Sequence, residues 1–253
     1  MVKGFIEDMT FELKTRDPKE TKKALPLLTA MVCAWEVMVM NEGETWYLRL
    51  LAWVRLLRVW AAFRSSDLSG ISPSSLRMGD GHLEGIISIS KTTGVGKKVA
   101  KLAWFVSKEA WLLKDIWLVT GYELFKADAG ARSFLLPLPT PNLDSFTAAE
   151  PGYAQACAAN RKLLSMTKCV GSTTCPSTLE CEIAQGAEPL LLPGVQQFWS
   201  EHGDRATVTS WADRISRWRP EASEEYVRNS RSLALGAESA GNDCEGNPEC
   251  RRG

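Results

Sequence analysis

Two long apolar blocks dominate the first quarter of the chain, Ala24 to Met40 and Trp46 to Phe63, each broken only by isolated charges. Neither alternates with a period of two and both outrun an ordinary strand, so the pattern predicts helices over 23–40 and 45–63. The second block would suit a membrane but for Arg49, Arg55 and Arg58, each costly in hydrocarbon. The first carries Glu36 and falls short of the ~20 residues a span requires. Both blocks therefore read as buried helices of a folded domain, with no membrane partner. Further on, HLEGIISISKTTGVGKKVAKLAWFV alternates β-branched and polar residues on either side of TTGVG, the pattern of a hairpin closed by a glycine-containing turn.

The remaining pattern is coarser. Trp111 to Lys126 and Tyr153 to Thr167 read as helices, separated by FLLPLPTPNLDSF, whose prolines can continue neither. From about 168 to 193 the chain is rich in Ser, Thr, Pro and Gly with little period, which predicts a long irregular insertion. A helix is expected to restart near Val195. Residues 1–22 read as a linker or a remnant, with Asp17 and Pro18 suited to a helix entry, and 233–253 as a small, polar, disordered tail. The expected fold is α+β: mostly helical over 23–232, with a small antiparallel sheet around the hairpin.

Composition narrows the function classes. Apolar residues make up 45% of the chain and ten are tryptophan, enough for a sizeable core. The 30 basic residues are balanced by 30 acidic ones, so charge alone does not point to nucleic acid. Seven cysteines form an odd set without zinc-ligand spacing, which favours reduced thiols in an intracellular protein. TTGVGKK lacks the spacing and the strand-to-helix setting of a phosphate loop, which disfavours an ATPase or a dehydrogenase.

The candidate chemistry lies in four separated stretches: LLRVWAAFRSSDLSGISPSSL, SKTTGVGKK, EHGDR and RWRPEASEEYVR. In order along the chain they supply Arg64 with Asp67 three residues on, Lys91, His202 with Arg205, then Trp218 and Tyr226. This ordered set resembles the catalytic domain of the tyrosine recombinases, the phage-integrase family, and RWRPEASEEYVR resembles the recombinases of eukaryotic mobile elements in particular. The likeness spans roughly residues 20–232. It implies a site-specific recombinase or integrase that cuts and rejoins double-stranded DNA, works as a homo-oligomer on that DNA, and resides in the nucleus if the host is eukaryotic.

The physical logic of the set is direct. A phosphodiester repels anionic nucleophiles, and planar guanidinium groups grip two of its oxygens at once; the resemblance gives that task to Arg64 and Arg205. His202 would donate to the phosphate or take the tyrosine proton. Tyr226 would attack phosphorus, its phenolate stabilised by the neighbouring cations, because a phenol with a pKa of ~10 is otherwise sluggish. Lys91, with Lys97 and Lys98 as alternatives, would protonate the departing 5′ oxygen. Trp218 would pack beneath the site or donate its indole N–H. Energy stored in the 3′-phosphotyrosyl ester would make rejoining independent of ATP and metal, so no cofactor is expected.

The plainer readings stay open beside these. Arg64 can serve as a helix-end residue paired with Asp67, His202 and Trp218 can be core residues, and Lys91 a solvated charge. The interval from Arg205 to Tyr226 is also shorter than the helix and turn the family places there, and no room is seen before residue 20 for the family's separate helical domain. Those departures favour a shortened copy, and a catalytically inactive remnant that binds DNA or a partner is the alternative function. An unrelated helical interaction protein is the third reading.

Overall fold

The computed structural model describes residues 25–91, 93–96, 99–128, 133–174, 181–200 and 202–216. The linker expected over 1–22, Trp218, Tyr226 and the tail expected over 233–253 lie outside the described residues. Two compact units divide the chain, 1–208 and 209–253, and all that follows concerns the first unless a helix is named across the boundary.

Helices α1 (Thr29–Met40) and α2 (Trp46–Trp60) form the centre. Eight of the twelve residues of α1 and twelve of the fifteen of α2 are buried, which matches their largely apolar pattern. The first helix starts later than its hydrophobic pattern suggests, because Pro26 and Leu27 spend their backbone groups elsewhere. Trp199 Nε1 donates to the Pro26 carbonyl at 3.0 Å and the Leu27 N–H donates to Thr207 Oγ1 at 2.8 Å. Thr45 caps α2, its hydroxyl accepting from the Leu48 N–H at 3.3 Å. Against this pair packs α4 (Trp117–Asp128), whose Gly121 lets the Trp53 ring lie directly on the helix backbone.

Between α2 and α4 come α3 (Ser65–Ser69), a 3₁₀ turn at Pro73–Ser75 and an antiparallel sheet ordered β1-β2-β3: Arg77–Met78, His82–Ile87 and Leu102–Ser107. Pairs Leu83↔Val106 and Gly85↔Trp104 set the register of β2 and β3. Leu83, Ile87, Trp104 and Val106 point inward while Glu84 and Phe105 point out, so period-two alternation becomes one buried face.

Residues 111–116 are not helical, contrary to the expectation over Trp111–Lys126. Their backbone serves another partner: Glu36, buried on α1, accepts the N–H groups of Leu112, Leu113 and Lys114 at 3.0, 2.7 and 3.0 Å. Burial raises the Glu36 carboxyl above the usual carboxylate range, and these three donors offset part of that rise.

Beyond α4 a short pair, β4 (Leu138–Pro139) and β5 (Phe146–Thr147), leads into α5 (Tyr153–Met166). The stretch expected to be an irregular insertion is instead an antiparallel hairpin, β6 (Lys168–Thr174) with β7 (Cys181–Pro189), carrying a register shift between Lys168 and Val170. Its strands, KCVGSTT and CEIAQGAEP, hold one β-branched apolar residue each, Val170 and Ile183, so backbone pairing occurs without the alternation that would announce it. The hairpin is pinned to the turn between α1 and α2 by Asn41 Nδ2 donating to Gln185 Oε1 at 3.1 Å and by Lys168 with Glu44 at 3.2 Å. Near Val195 the chain makes a 3₁₀ turn (Val195–Phe198), and helix α6 (Gly203–Ser216) begins only after it, running across the unit boundary. The architecture is thus mixed α+β with small antiparallel sheets. No helix among the described residues is long and apolar enough to cross a membrane.

Candidate active site

Arg64 stands on a sharp corner. Helix α2 ends as the Ala62 N–H donates to the Val59 carbonyl at 3.2 Å and the Phe63 N–H to the Arg58 carbonyl at 3.0 Å, with Ala62 in the left-handed region at φ 52°. That paired closure is the Schellman arrangement, usually built on glycine; an alanine there costs ~1–2 kcal/mol, supplied by the packing around it. Phe63 then drops into the core edge-on to Trp104, ring centroids 4.9 Å apart. Arg64 follows in extended conformation, half-buried, its N–H donating to Asp67 Oδ2 at 2.8 Å while the Asp67 N–H returns to the Arg64 carbonyl at 3.0 Å. Asp67 therefore caps α3 and fixes the backbone from which the Arg64 side chain leaves.

Lys91 is tied to the same corner through the backbone. The Ser88 N–H donates to the Gly70 carbonyl at 2.8 Å, and a Cβ on Gly70 would sit 1.7 Å from the Ile89 carbonyl oxygen, so only glycine permits this approach. Next comes a turn in which buried Thr93 donates through its hydroxyl to Ser90 Oγ at 2.8 Å and through its N–H at 3.1 Å. Lys91 sits on that turn, exposed to solvent. Of the alternatives, Lys97 and Lys98 lie outside the described residues.

His202 and Arg205 mark the start of α6. The His202 carbonyl accepts the first helical bond from the Ala206 N–H at 3.3 Å, its side chain is exposed, and Arg205 is half-buried one turn in. Gly203 presses against the segment before α1, where a Cβ would meet the Leu25 carbonyl oxygen at 2.5 Å. The other histidine, His82, lies on the outer face of the sheet, 3.6 Å from Glu84, away from these motifs.

What joins the α6 start to the Arg64 corner is a residue that sequence reasoning passed over. Asp204, fully buried, ion-pairs with Arg55 and, at 3.1 Å, with Arg58; both arginines lie on α2 and are themselves 2% and 1% exposed. Arg58 Nη2 also donates to Ser65 Oγ at 3.2 Å. One guanidinium thus touches the neighbour of Arg64 and the neighbour of Arg205. In the sequence Asp204 is an unremarked position between His202 and Arg205, and Arg55 and Arg58 register only as charges in an apolar block. The signal that marks them is spatial: charges are almost never fully buried unless paired.

A cavity of about 70 Å³ lies beside this cluster, bounded among others by Val54, Arg58, Ser65, Leu68 and Asn160. Small-molecule sites run to roughly 300–1,000 Å³, so it is too small to hold a nucleotide. Among the described residues no group of three His, Cys, Asp or Glu side chains is placed to hold a metal ion. Cys33, Cys157 and Cys169 are free thiols, and burial, then the nearby Glu36, pushes Cys33 up to about 11, which leaves it protonated and unreactive. Compared with protein-family models, with curated proteins and with solved structures, the chain finds no match.

Proposed function

We propose that the chain is the catalytic domain of a tyrosine recombinase, cutting and rejoining double-stranded DNA through a 3′-phosphotyrosyl intermediate on Tyr226. The observation that carries this reading is the bridge made by Arg58, which draws the Arg64 corner and the start of the His202 to Arg205 helix onto one end of α2. Two guanidinium groups and an imidazole far apart in sequence thereby stand on adjoining elements, with the Lys91 turn attached to the same corner through Gly70.

In this mechanism the Tyr226 phenolate attacks phosphorus while Arg64 and Arg205 hold the non-bridging oxygens, where charge grows as attacking and leaving oxygens align. The phosphorus–O5′ bond breaks and Lys91 supplies the proton that leaves with the 5′ hydroxyl. His202 accepts the tyrosine proton or donates to the phosphate. A second DNA 5′ hydroxyl then attacks the ester, reverses the proton transfers and frees Tyr226. Several such chains on one pair of DNA sites would complete an exchange.

A second reading, a remnant that binds DNA without cutting it, is favoured by one specific observation: α6 continues to Ser216 and so occupies half of an already short interval before Tyr226. Nicked suicide substrates decide between the two. A covalent protein–DNA adduct that disappears in Tyr226→Phe is the expected outcome. Retention of DNA without any adduct would instead establish the remnant.

A further inference from the structure

We infer that Asp204, Arg55, Arg58 and Ser65 form a positioning relay that sets His202 and Arg205 against Arg64; the inference rests on the recombinase reading above. Its geometry is specific. Arg55 and Arg58 are three residues apart and so share one face of α2. Arg55 Nη2 donates to Asp204 Oδ1, and Arg58 Nε lies 3.1 Å from Oδ2 as an ion pair, so the two carboxylate oxygens face two different arginines of the helix. Trp35 steadies Arg55 from behind, the guanidinium carbon 5.2 Å from the ring centroid. Arg58 extends the chain of contacts to Ser65, the residue after Arg64. Asp204 stands between the two residues it positions: His202 two places before it and Arg205 one place after it.

Energetics support a geometric role. Taking charges out of water costs about as much as their attraction returns, so apolar residues of similar volume would hold α6 on α2 equally well. What apolar packing would not do is fix the roll of α6 about its axis and its height along α2. A shift of ~1 Å in a reacting group can cost ~100-fold in rate, and a carboxylate set between two buried guanidinium groups opposes such a shift. None of the four residues needs to touch the DNA.

The full chain, its Asp204→Asn variant and its Ser65→Ala variant are compared in single-turnover cleavage of a nicked duplex at saturating DNA, reading rate constant and amplitude separately, alongside a thermal melt. A purely structural role lowers the amplitude and the melting temperature but leaves the rate constant of the folded fraction alone. The relay predicts for Asp204→Asn a rate constant lower by ~10–100-fold with the half-saturating DNA concentration unchanged. For Ser65→Ala it predicts a loss of ~3–10-fold with an unaltered melting temperature, by the same sensitivity to position. Asp204→Asn decides wherever it folds, and a wild-type rate constant there overturns the relay while leaving the recombinase reading intact. If it does not fold, Ser65→Ala decides on the same criterion. Absence of any adduct from the wild type overturns the recombinase reading, and the relay with it.

Discussion

The two ends of helix α2 are held in different chemical languages. At its start the bonds are neutral: the Thr45 hydroxyl donates to the Leu143 carbonyl at 2.8 Å, Trp46 Nε1 to the Leu124 carbonyl at 3.3 Å and the Tyr47 hydroxyl to the Pro137 carbonyl at 2.8 Å. Phe146 packs on the Trp46 ring, centroids 4.9 Å apart. At its far end Arg55 and Arg58 are buried with Asp204. Neutral bonds to carbonyls satisfy a helix end cheaply, and on α2 the cost of burying ions falls at the end where the Arg64 and Arg205 elements meet. Under the proposed relay, the first end serves stability and the second serves geometry.

Three substitutions sharpen that contrast. Asp204→Ala leaves two guanidinium groups buried against a void, and the loss expected in denaturant unfolding is about 3–5 kcal/mol; a loss below about 1 kcal/mol would show that the cluster rearranges and that its geometry is not demanding. Tyr47→Phe strands a buried carbonyl at the neutral end and is expected to cost about 1–2 kcal/mol, with the DNA-cleavage rate constant of the folded fraction unchanged. A slower rate constant in that variant would break the division between the ends. Thr45→Ala removes the helix cap, and a chemical melt should report about 1 kcal/mol, again with cleavage unaltered.

How much of this was legible in the sequence depended on whether burial was periodic. The β2–β3 hairpin was, because Leu83, Ile87, Trp104 and Val106 alternate with outward residues on paired strands. The buried helices were legible in place and imprecise in extent, since Pro26 and residues 112–114 give their backbone groups to side chains far away in the chain. The β6–β7 hairpin was not, because its strands carry a single β-branched apolar residue each, Val170 and Ile183, and no period-two run of them. In the candidate site the stretches bearing Arg64, Lys91, His202 and Arg205 could be picked out as words, while the residues joining those words could not. Asp204 and Ser65 lie next to Arg205 and Arg64 in sequence, but their partner Arg58 sits in a block whose pattern announces only a helix. The pairing of Arg55 with Asp204, across 149 residues, leaves no local trace.

The way Pro26 and Leu27 are held has a consequence for the order of folding. Leu27 bonds to Thr207, 180 residues away, and Pro26 to Trp199, 173 residues away. Contacts that distant close late, because the entropy of drawing in the intervening chain must be met before they return anything. During synthesis, which delivers roughly 5–20 residues per second, α1 and α2 emerge early with much of their apolar surface bare, and the last partner of α1's entry segment arrives only with α6. A nascent chain of this protein therefore can close the entry segment of α1 only once Trp199 and Thr207 have been made.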